Sequence, residues 1–414
     1  MGFTHPTEPP GGGPTRFSRD RPWRVIGMLS GTSLDAVDAA VAEFAFDGPD
    51  LLLRPAGLHT EPYPAELRDE LAACLPPAAT TFGQVCRLDT RLGQFFGRVA
   101  ARANDGLARG RADLVASHGQ TVHHWVADGR ARGTLQLGAA AWIAEATGLP
   151  VVSDLRTRDI ARGGQGAPLA ATLDALLLLT GTDGTGRGAL NLGGIANITV
   201  RDAAGGIVAY DIGPANALID AVAAEASGGA ERMDTGGARA ARGTVDPGLL
   251  ALLLAEPYYR LPPPKSTGKE LFHAEYLADL LRRLGRRPAD DDLAATVTEL
   301  TARLVGAACR AHGLTELVVS GGGVRNPVLM DRVRALAAPA HVVPVERFGL
   351  PAQAKEAYLF ALLGFLTAHG LAGSVPSATG AAAPALLGSL TPGAGPLVLP
   401  RPRTAPPRRL RVVP

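Results

Sequence analysis

Gly27-Met28-Leu29-Ser30-Gly31-Thr32-Ser33-Leu34-Asp35-Ala36-Val37-Asp38 follows an apolar, strand-like run, Trp23–Ile26, and leads into Ala39–Phe44, which reads as a second strand. Two short strands joined by Ser-Gly-Thr-Ser make a hairpin. Gly31 lets the backbone approach a ligand closely. The hydroxyls of Ser30, Thr32 and Ser33, with the N–H groups of the turn, are donors suited to phosphate oxygens. Asp35 and Asp38 cannot bind phosphate themselves, but they can orient a hydrated Mg²⁺ beside it. An ordinary hairpin turn with a solvated Asp would read the same way, so the functional reading needs a second device of the same kind.

Leu190–Val200 supplies it. A strand enters, Gly193-Gly194 turns it, and a β-branched strand carrying Asn197 leaves. Residues 202–206 turn again, Ile207–Asp211 returns, and Ile212-Gly-Pro-Ala-Asn216 opens a helix over Ala217–Ala226. Two halves that each open with a glycine hairpin predict a duplicated α/β domain with phosphates clamped between the copies. Asp211 ends a strand at the mouth of that clamp, where a catalytic carboxylate would sit. A helix-capping role is the alternative, but Pro214 and Asn216 lie nearer the helix start.

Between the two hairpins, helical spacing of Phe82, Val85, Leu88, Leu92, Phe95, Phe96 and Val99 marks a buried face. Asp113–His124 reads as a short buried strand running into a polar loop, with Ser117, His118, Gln120 and Thr121 at its end. Ligands bind outside that end of open α/β sheets. Val151–Asp154 is a second buried strand, and its extension crowds Arg156, Arg158, Asp159 and Gln165 into a glycine-rich loop. Such a loop suits anionic or sugar substrates, because Arg binds carboxylates through two parallel N–H groups. Leu169–Leu179 is an apolar helix, and residues 181–188 are the expected hinge between halves.

Beyond Asp211, Leu261–Phe272 is a proline-stiffened polar loop in which Lys265, Ser266, Thr267 and Gly268 could meet a phosphate or a carboxylate. It lacks the upstream glycine spacing of a P-loop. Leu317–Met330 is a strand, then Gly321-Gly322-Gly323, then a helix start; backbone without side chains can pack against a flat base. Ala354–Thr367 is a last apolar helix carrying Lys355 and Glu356 near its head. Residues 1–22 read as a disordered lead, and the Pro/Arg-rich residues 391–414 as a loose tail.

Composition bounds the function classes. The chain has 414 residues, 46% of them hydrophobic and 19% charged, with 51 Gly and 33 Pro. That is enough for two domains with a large core and many tight turns. A net charge of +2 gives no field that argues for nucleic acid or an acidic membrane. All but three of the 41 basic residues are Arg, so surface Arg carries little information and Lys265, Lys269 and Lys355 carry more. Cys74, Cys86 and Cys309 have no metal or redox spacing and fit a reducing cytoplasm. The lead has no apolar core of a signal peptide, and no apolar run approaches a membrane span. A homodimer is left open.

Taken together, Gly27–Asp38, Ser117–Thr121, Asp154–Pro168, Leu190–Thr199, Asp211–Asn216, Pro264–Phe272 and Ser320–Met330 resemble the anhydro-N-acetylmuramic acid kinase family of the actin/hexokinase/Hsp70 ATPase superfamily. The motifs run in one order over nearly all of residues 23–390. Ala36 and Ala215 stand where the family often has Gly, each being the smallest other residue. The resemblance implies a duplicated actin-like/ribonuclease-H-like ATPase fold, with lobes at 23–185 and 186–390 around a nucleotide cleft. It implies ATP and Mg²⁺ acting on 1,6-anhydro-N-acetylmuramic acid, with opening of the anhydro bridge and phosphorylation of O6 in peptidoglycan recycling. Asp211 would be the general base and Glu356 would help hold the water. Residues 31–38 (Gly31, Thr32, Ser33, Leu34, Asp35, Ala36, Val37, Asp38) with Gly193, Gly194 and Asn197 would cradle the nucleotide phosphates, Asp35 reaching the metal through water. Gly321–Gly323, with Gly322 at their centre, would lie along the nucleoside. His118, Gln120, Thr121, Arg156, Arg158, Asp159, Gln165, Asn216 and Lys265 would face the sugar.

Three other readings compete. A catalytically silent nucleotide sensor of the same fold would lack the base. A kinase of an open hexose or another amino sugar would leave the Arg156–Asp159 and Lys265 loops without a carboxylate to meet. A Rossmann oxidoreductase would need Gly-x-Gly-x-x-Gly between a strand and a helix near the start, which the opening stretch lacks.

Overall fold

The computed structural model describes residues 21–31, 34–75, 78–180, 186–268 and 271–414. Expectations for the lead before Arg21, for Thr32, Ser33 and Lys269, and for residues 181–185 of the hinge lie outside them.

The predicted hairpin forms from β1 (Trp23–Ser30) and β2 (Ala36–Asp47), and β3 (Asp50–Pro62) extends it as an antiparallel meander. Parallel strands β4 (Leu114–Ala127) and β6 (Val151–Ser153) add on the other side of β1, and β5 (Arg130–Leu137) folds back on β4. The second half repeats this. Strands β7 (Arg187–Leu192), β8 (Ile195–Arg201) and β9 (Ile207–Pro214) form the meander. Strands β10 (Glu316–Ser320) and β11 (His341–Pro344) add in parallel beyond β7. The two orders, β3-β2-β1-β4-β6 and β9-β8-β7-β10-β11, correspond strand for strand in position and direction. The predicted duplication is therefore present in the topology.

Two strands come from the far end of the chain. β12 (Ser389–Thr391) pairs with β6, and β13 (Arg409–Val412) pairs in parallel with β3. This corrects the loose tail expected from its Pro/Arg composition. Leu410 is buried in the shared core, Arg409 is 2.7 Å from Asp50, and Arg411 pairs with Asp47. The strand β4 also does not stop at Ser117. It bulges beside Ser30 and runs on to Ala127, so the expected polar loop is the extended base of a hairpin.

Period-two alternation explains the layers. Val25, Ala40, Ala42, Phe44, Leu114 and Ala116 face one core, while Ile26, Met28, Ala39, Val41 and Val115 face another, which the helix Phe82–Gly106 covers. That helix starts at a reciprocal Thr81/Gln84 cap. The second sheet is covered on one side by the helix Asp290–Ala311. Its other side contributes Ala189, Ala209 and Val318 to the core facing the first sheet, so the two halves share one interior. Two segments fill it: Ala170–Leu173, continuing as a π-turn over Asp174–Leu178, and the helix Lys355–Ala368. The helix lies so close to β1 that a Cβ on Gly27 would stand 2.0 Å from the Ala357 carbonyl oxygen, and one on Gly364 2.4 Å from the Ala116 methyl. The helix Lys355–Ala368 thus packs on the first sheet although it follows the second in sequence.

Candidate functional site

At the ligand end of the second sheet, three backbone segments lock together. The Asn216 side-chain amide donates to the carbonyls of Leu192 (3.2 Å) and Gly193 (2.8 Å). Backbone N–H groups of Ala215 and Ala217 donate to Gly194, and that of Asn216 to Gly193. Gly321 has φ +90°, and a Cβ there would meet the Asn191 amide oxygen at 2.5 Å and the Leu192 carbonyl oxygen at 2.8 Å. A Cβ on Gly323 would press on Leu192 at 2.7 Å. Gly321 and Gly323 are therefore pressed on Asn191 and Leu192, at the end of β7 just before the Gly193-Gly194 turn. Asn216, expected on the sugar side, anchors the Gly193-Gly194 turn.

Asp211 lies on β9 beside this turn, opposite Asn197 of β8. Its Oδ2 accepts hydrogen bonds from the Ser266 hydroxyl (2.8 Å) and the Thr267 backbone N–H (2.9 Å). Its backbone carbonyl accepts from the Tyr258 hydroxyl, and its N–H donates to Lys265. The proline-stiffened loop thus holds the aspartate rather than only a ligand. Lys265 Nζ donates to the carbonyls of Tyr258 (3.2 Å) and Tyr259 (3.0 Å) and sits 4.8 Å from the centre of the Tyr258 ring. Burial lowers its pKa, and the Asp211 charge opposes that shift. An ammonium has three donors, which leaves one for a ligand.

At the ligand end of the first sheet, β1 ends in Ser30 and the chain passes through Gly31 to Leu34, which adopts φ +58° and donates back to Gly31. Asp38 accepts from Thr60 at 2.6 Å, and burial raises its pKa. Asp35 is exposed and lies 3.8 Å from Arg232, which belongs to the second half, so this surface ion pair spans the cleft. Arg232 also lines a cavity of about 340 Å³ along the helix Asn216–Ala226, with Asp220, Phe272 and His273. Nothing in the sequence pattern marked it.

The β4 candidates divide. His118 is buried; its Nε2 accepts from Arg156 Nε at 2.9 Å while Nδ1 lies 2.9 Å from the Gly119 carbonyl oxygen. Burial, followed by the Arg156 charge, pushes the imidazole down to about 3, so it is neutral, with Nδ1–H donating. Arg156 also donates to the Gly166 carbonyl at 2.7 Å; burial lowers it to about 10, against the pull of Glu356 and Asp159. Gln120, Asp159 and Gln165 have other tasks. Gln120 accepts from Ser30 and Tyr63. Asp159, 0% exposed, accepts from the Gly166 N–H and the Thr379 hydroxyl, both at 2.8 Å, and so shapes the glycine loop from within. Gln165 accepts from the Ala131 N–H and ties that loop to the β4–β5 turn. Thr121 accepts from Gln136, and Arg158 is solvent-exposed.

Glu356 rises from the first turn of the helix Lys355–Ala368 into the cleft floor, in a pocket lined by Asn191, Leu173 and Leu359. Its side chain meets solvent in the cleft yet is surrounded by protein. Desolvation raises its carboxyl above the usual range; Lys355 and Arg156 pull it down, and Asp38 and Asp174 push it up. Among the described residues nothing donates a hydrogen bond to it. No group of three or more His, Cys, Asp or Glu that could hold a metal ion occurs among them either. Among the described residues, no helix is long and apolar enough to cross a membrane.

Known proteins resemble this chain over nearly its whole length. A family model described as anhydro-N-acetylmuramic acid kinase matches residues 23–393. Proteins carrying that name are 56% identical in Streptomyces coelicolor (94% of this chain, 99% of that one) and 58% identical in Streptomyces avermitilis (91% and 96%). One from Rhodococcus erythropolis is 53% identical, covering 89% and 94%. With the doubled sheet, the meeting glycine turns and the held aspartate all in the matched span, the chain belongs to the anhydro-N-acetylmuramic acid kinase family.

Proposed function

We propose that this protein uses ATP to convert 1,6-anhydro-N-acetylmuramic acid and water into N-acetylmuramic acid 6-phosphate and ADP, a step in recycling cell-wall sugar. The observation that carries the reading is Asp211, a carboxylate fixed by Ser266 and Thr267 beside the Gly193-Gly194 turn and within the field of Lys265. A kinase of an ordinary hydroxyl needs a base toward that hydroxyl; an anhydro sugar needs one toward water.

Asp211 takes a proton from water as its oxygen bonds to C1. The C1–O6 bond breaks and its electron pair stays on O6. O6 bonds to the γ-phosphorus as the bond to the ADP oxygen breaks. Glu356 holds the water from the other wall of the cleft. The turn N–H groups at Gly31 and Gly193-Gly194 would hold the phosphates, and a bound Mg²⁺ would supply charge neutralisation there. Arg156, oriented by His118, and the remaining N–H of Lys265 recognise the lactyl carboxylate. ATP dependence and the free thiols Cys74, Cys86 and Cys309 support a cytoplasmic location.

Incubation with ATP, Mg²⁺ and the anhydro sugar, followed by mass spectrometry, tests the reading. A product heavier by phosphoryl plus water supports it. A product heavier by phosphoryl alone identifies an ordinary sugar kinase.

A further inference from the structure

Asp159 is sealed from the cleft, and both of its oxygens are engaged. Oδ1 accepts from the Thr379 hydroxyl and Oδ2 from the Gly166 N–H, each at 2.8 Å. Thr379 is 1% exposed and ends the short helix Pro376–Thr379, which follows the helix Lys355–Ala368. A backbone hydrogen bond from Gly373 to Ala385 (2.9 Å) pins the base of this segment. Its tip meets the glycine loop after β6. The Gln165 N–H donates to the Thr379 carbonyl (2.8 Å), the Ala382 N–H to the Arg162 carbonyl (2.9 Å), and Arg162 Nη1 to the Pro384 carbonyl (2.7 Å).

Those contacts join the two loops without Asp159, and burying a carboxylate costs free energy that only hydrogen bonds offset. What the carboxylate adds is control of one residue. Gly166, at φ +67°, is held through its N–H by Asp159 and through its carbonyl by Arg156 Nη1, 2.7 Å away. A Cβ on Gly164 would stand 2.2 Å from Asp159 Oδ2, so the loop wraps the carboxylate without slack. The Arg156 guanidinium is thereby fixed from two sides. Nε donates to His118, whose ring centre lies 4.7 Å from that of Phe360 on the helix Lys355–Ala368, and Nη1 donates to Gly166. Among the described residues these are its hydrogen-bond partners. A guanidinium has five N–H groups, so one on Nη1 and both on Nη2 are left for a ligand. His118 rests on a strand and a core helix. Gly166 rests on Asp159, and Asp159 on Thr379.

We propose that Thr379, acting through Asp159 and Gly166, is a positioning residue that sets Arg156 to meet a carboxylate, so that this latch governs the preference for an anhydro sugar with an acidic substituent over a neutral one. The proposal rests on the reading that Arg156 recognises the lactyl carboxylate. Its distinctive consequence is selective. Loss of the Thr379 hydroxyl weakens use of the acidic sugar and leaves use of its neutral counterpart unchanged.

The test compares kcat/KM for 1,6-anhydro-N-acetylmuramic acid and for its lactyl amide, which keeps the shape and lacks the charge. Wild type, Arg156→Met, Thr379→Val, Thr379→Ser and Thr379→Cys are assayed per nucleotide-binding site, with the melting temperature of each. Wild type prefers the acid, and Arg156→Met lowers that preference by about 10–100-fold, the range of a hydrogen bond to a charged group. Thr379→Val lowers it by about 3–10-fold, the range of one ordinary hydrogen bond, through a higher KM for the acid alone. Thr379→Ser keeps the wild-type preference. Thr379→Cys offers only a weak S–H donor, so it stands in where valine prevents folding, and its preference lies below that of wild type. With the preference lost in Arg156→Met, three results overturn the proposal alone: an unchanged preference in the valine variant (or in the cysteine variant where only that one folds), equal losses on acid and amide, or a serine variant as impaired as valine. An acid preference that survives Arg156→Met, or is missing in wild type, overturns the reading of Arg156 and the proposal with it.

Discussion

The two sheets repeat one strand order but use their ligand ends differently. On the first sheet, side chains within β4 and after β6 turn inward: Gln120 binds Ser30 and Tyr63, and Asp159 binds Thr379 and Gly166. On the second, Asp211 stays at the cleft and a distant loop reaches over to fix it. The first half receives its own carboxylate from elsewhere, as Glu356 on a helix that returns after the second sheet is complete. Duplication therefore gives a turn at the ligand end of each sheet, whereas the carboxylates beside those turns are asymmetric. One carboxylate is tethered by hydrogen bonds, and the other has no hydrogen-bond donor among the described residues and is raised in pKa first by desolvation.

The largest effect expected from this asymmetry is at the tethered carboxylate. Asp211→Asn keeps size and most hydrogen bonding but removes the base. Turnover should fall by about 10²–10⁴-fold, with ATP and sugar binding near normal by calorimetry. Near wild-type turnover would dissolve the distinction between the two carboxylates.

Lys265→Met comes next. It removes the cation held beside Asp211, so turnover and sugar affinity should drop together while nucleotide affinity stays nearly intact. Collapse of ATP affinity with sugar binding preserved would move Lys265 to the nucleotide side.

Glu356 should respond more gently and in stability as well as rate. Its folded-state pKa is raised, so the folded protein favours the protonated form. The charged form then costs stability that grows as pH rises from the unfolded value of about 4.5 through the folded one. Glu356→Gln should therefore melt higher than wild type at neutral pH and equally at pH 3, while losing less rate than Asp211→Asn. A lower melting temperature at neutral pH would contradict the desolvation of this carboxyl.

The smallest signal is global. Asp35 and Arg232 face each other across the cleft at 3.8 Å, and ATP should draw the halves together about the shared core. Small-angle scattering with a nonhydrolysable nucleotide should show a reduced radius of gyration; an unchanged radius with nucleotide bound would count against closure.

Much of this was legible because glycine hairpins and strand alternation are local signals. Gly31 and Gly193-Gly194 announce the duplication, and Asp211 stands out as a carboxylate before Ile-Gly-Pro, although it does not end its strand as expected: β9 runs through it to Pro214. What stayed hidden depends on partners far away in the chain. Asp159 looks like a ligand contact until Thr379, more than two hundred residues on, is seen to occupy it. The strand β13 is four residues within a Pro/Arg-rich stretch, too short for periodicity to register. Asp174 and Lys355 sit in otherwise apolar helices; either alone is an anomaly, and only the pair of opposite anomalies would have signalled a buried ion pair.

The most direct test of the central claim follows both bonds at once in a single turnover. Enzyme in excess over anhydro sugar is quenched at short times and the sugar species are resolved by mass, for wild type and Asp211→Asn. If Asp211 activates the water that opens the ring, wild type yields sugar carrying phosphoryl plus water as one step. The variant then yields neither opened nor phosphorylated sugar. A variant that phosphorylates the sugar with its anhydro ring intact, or opens the ring without phosphorylation, would place water activation elsewhere and contradict the account.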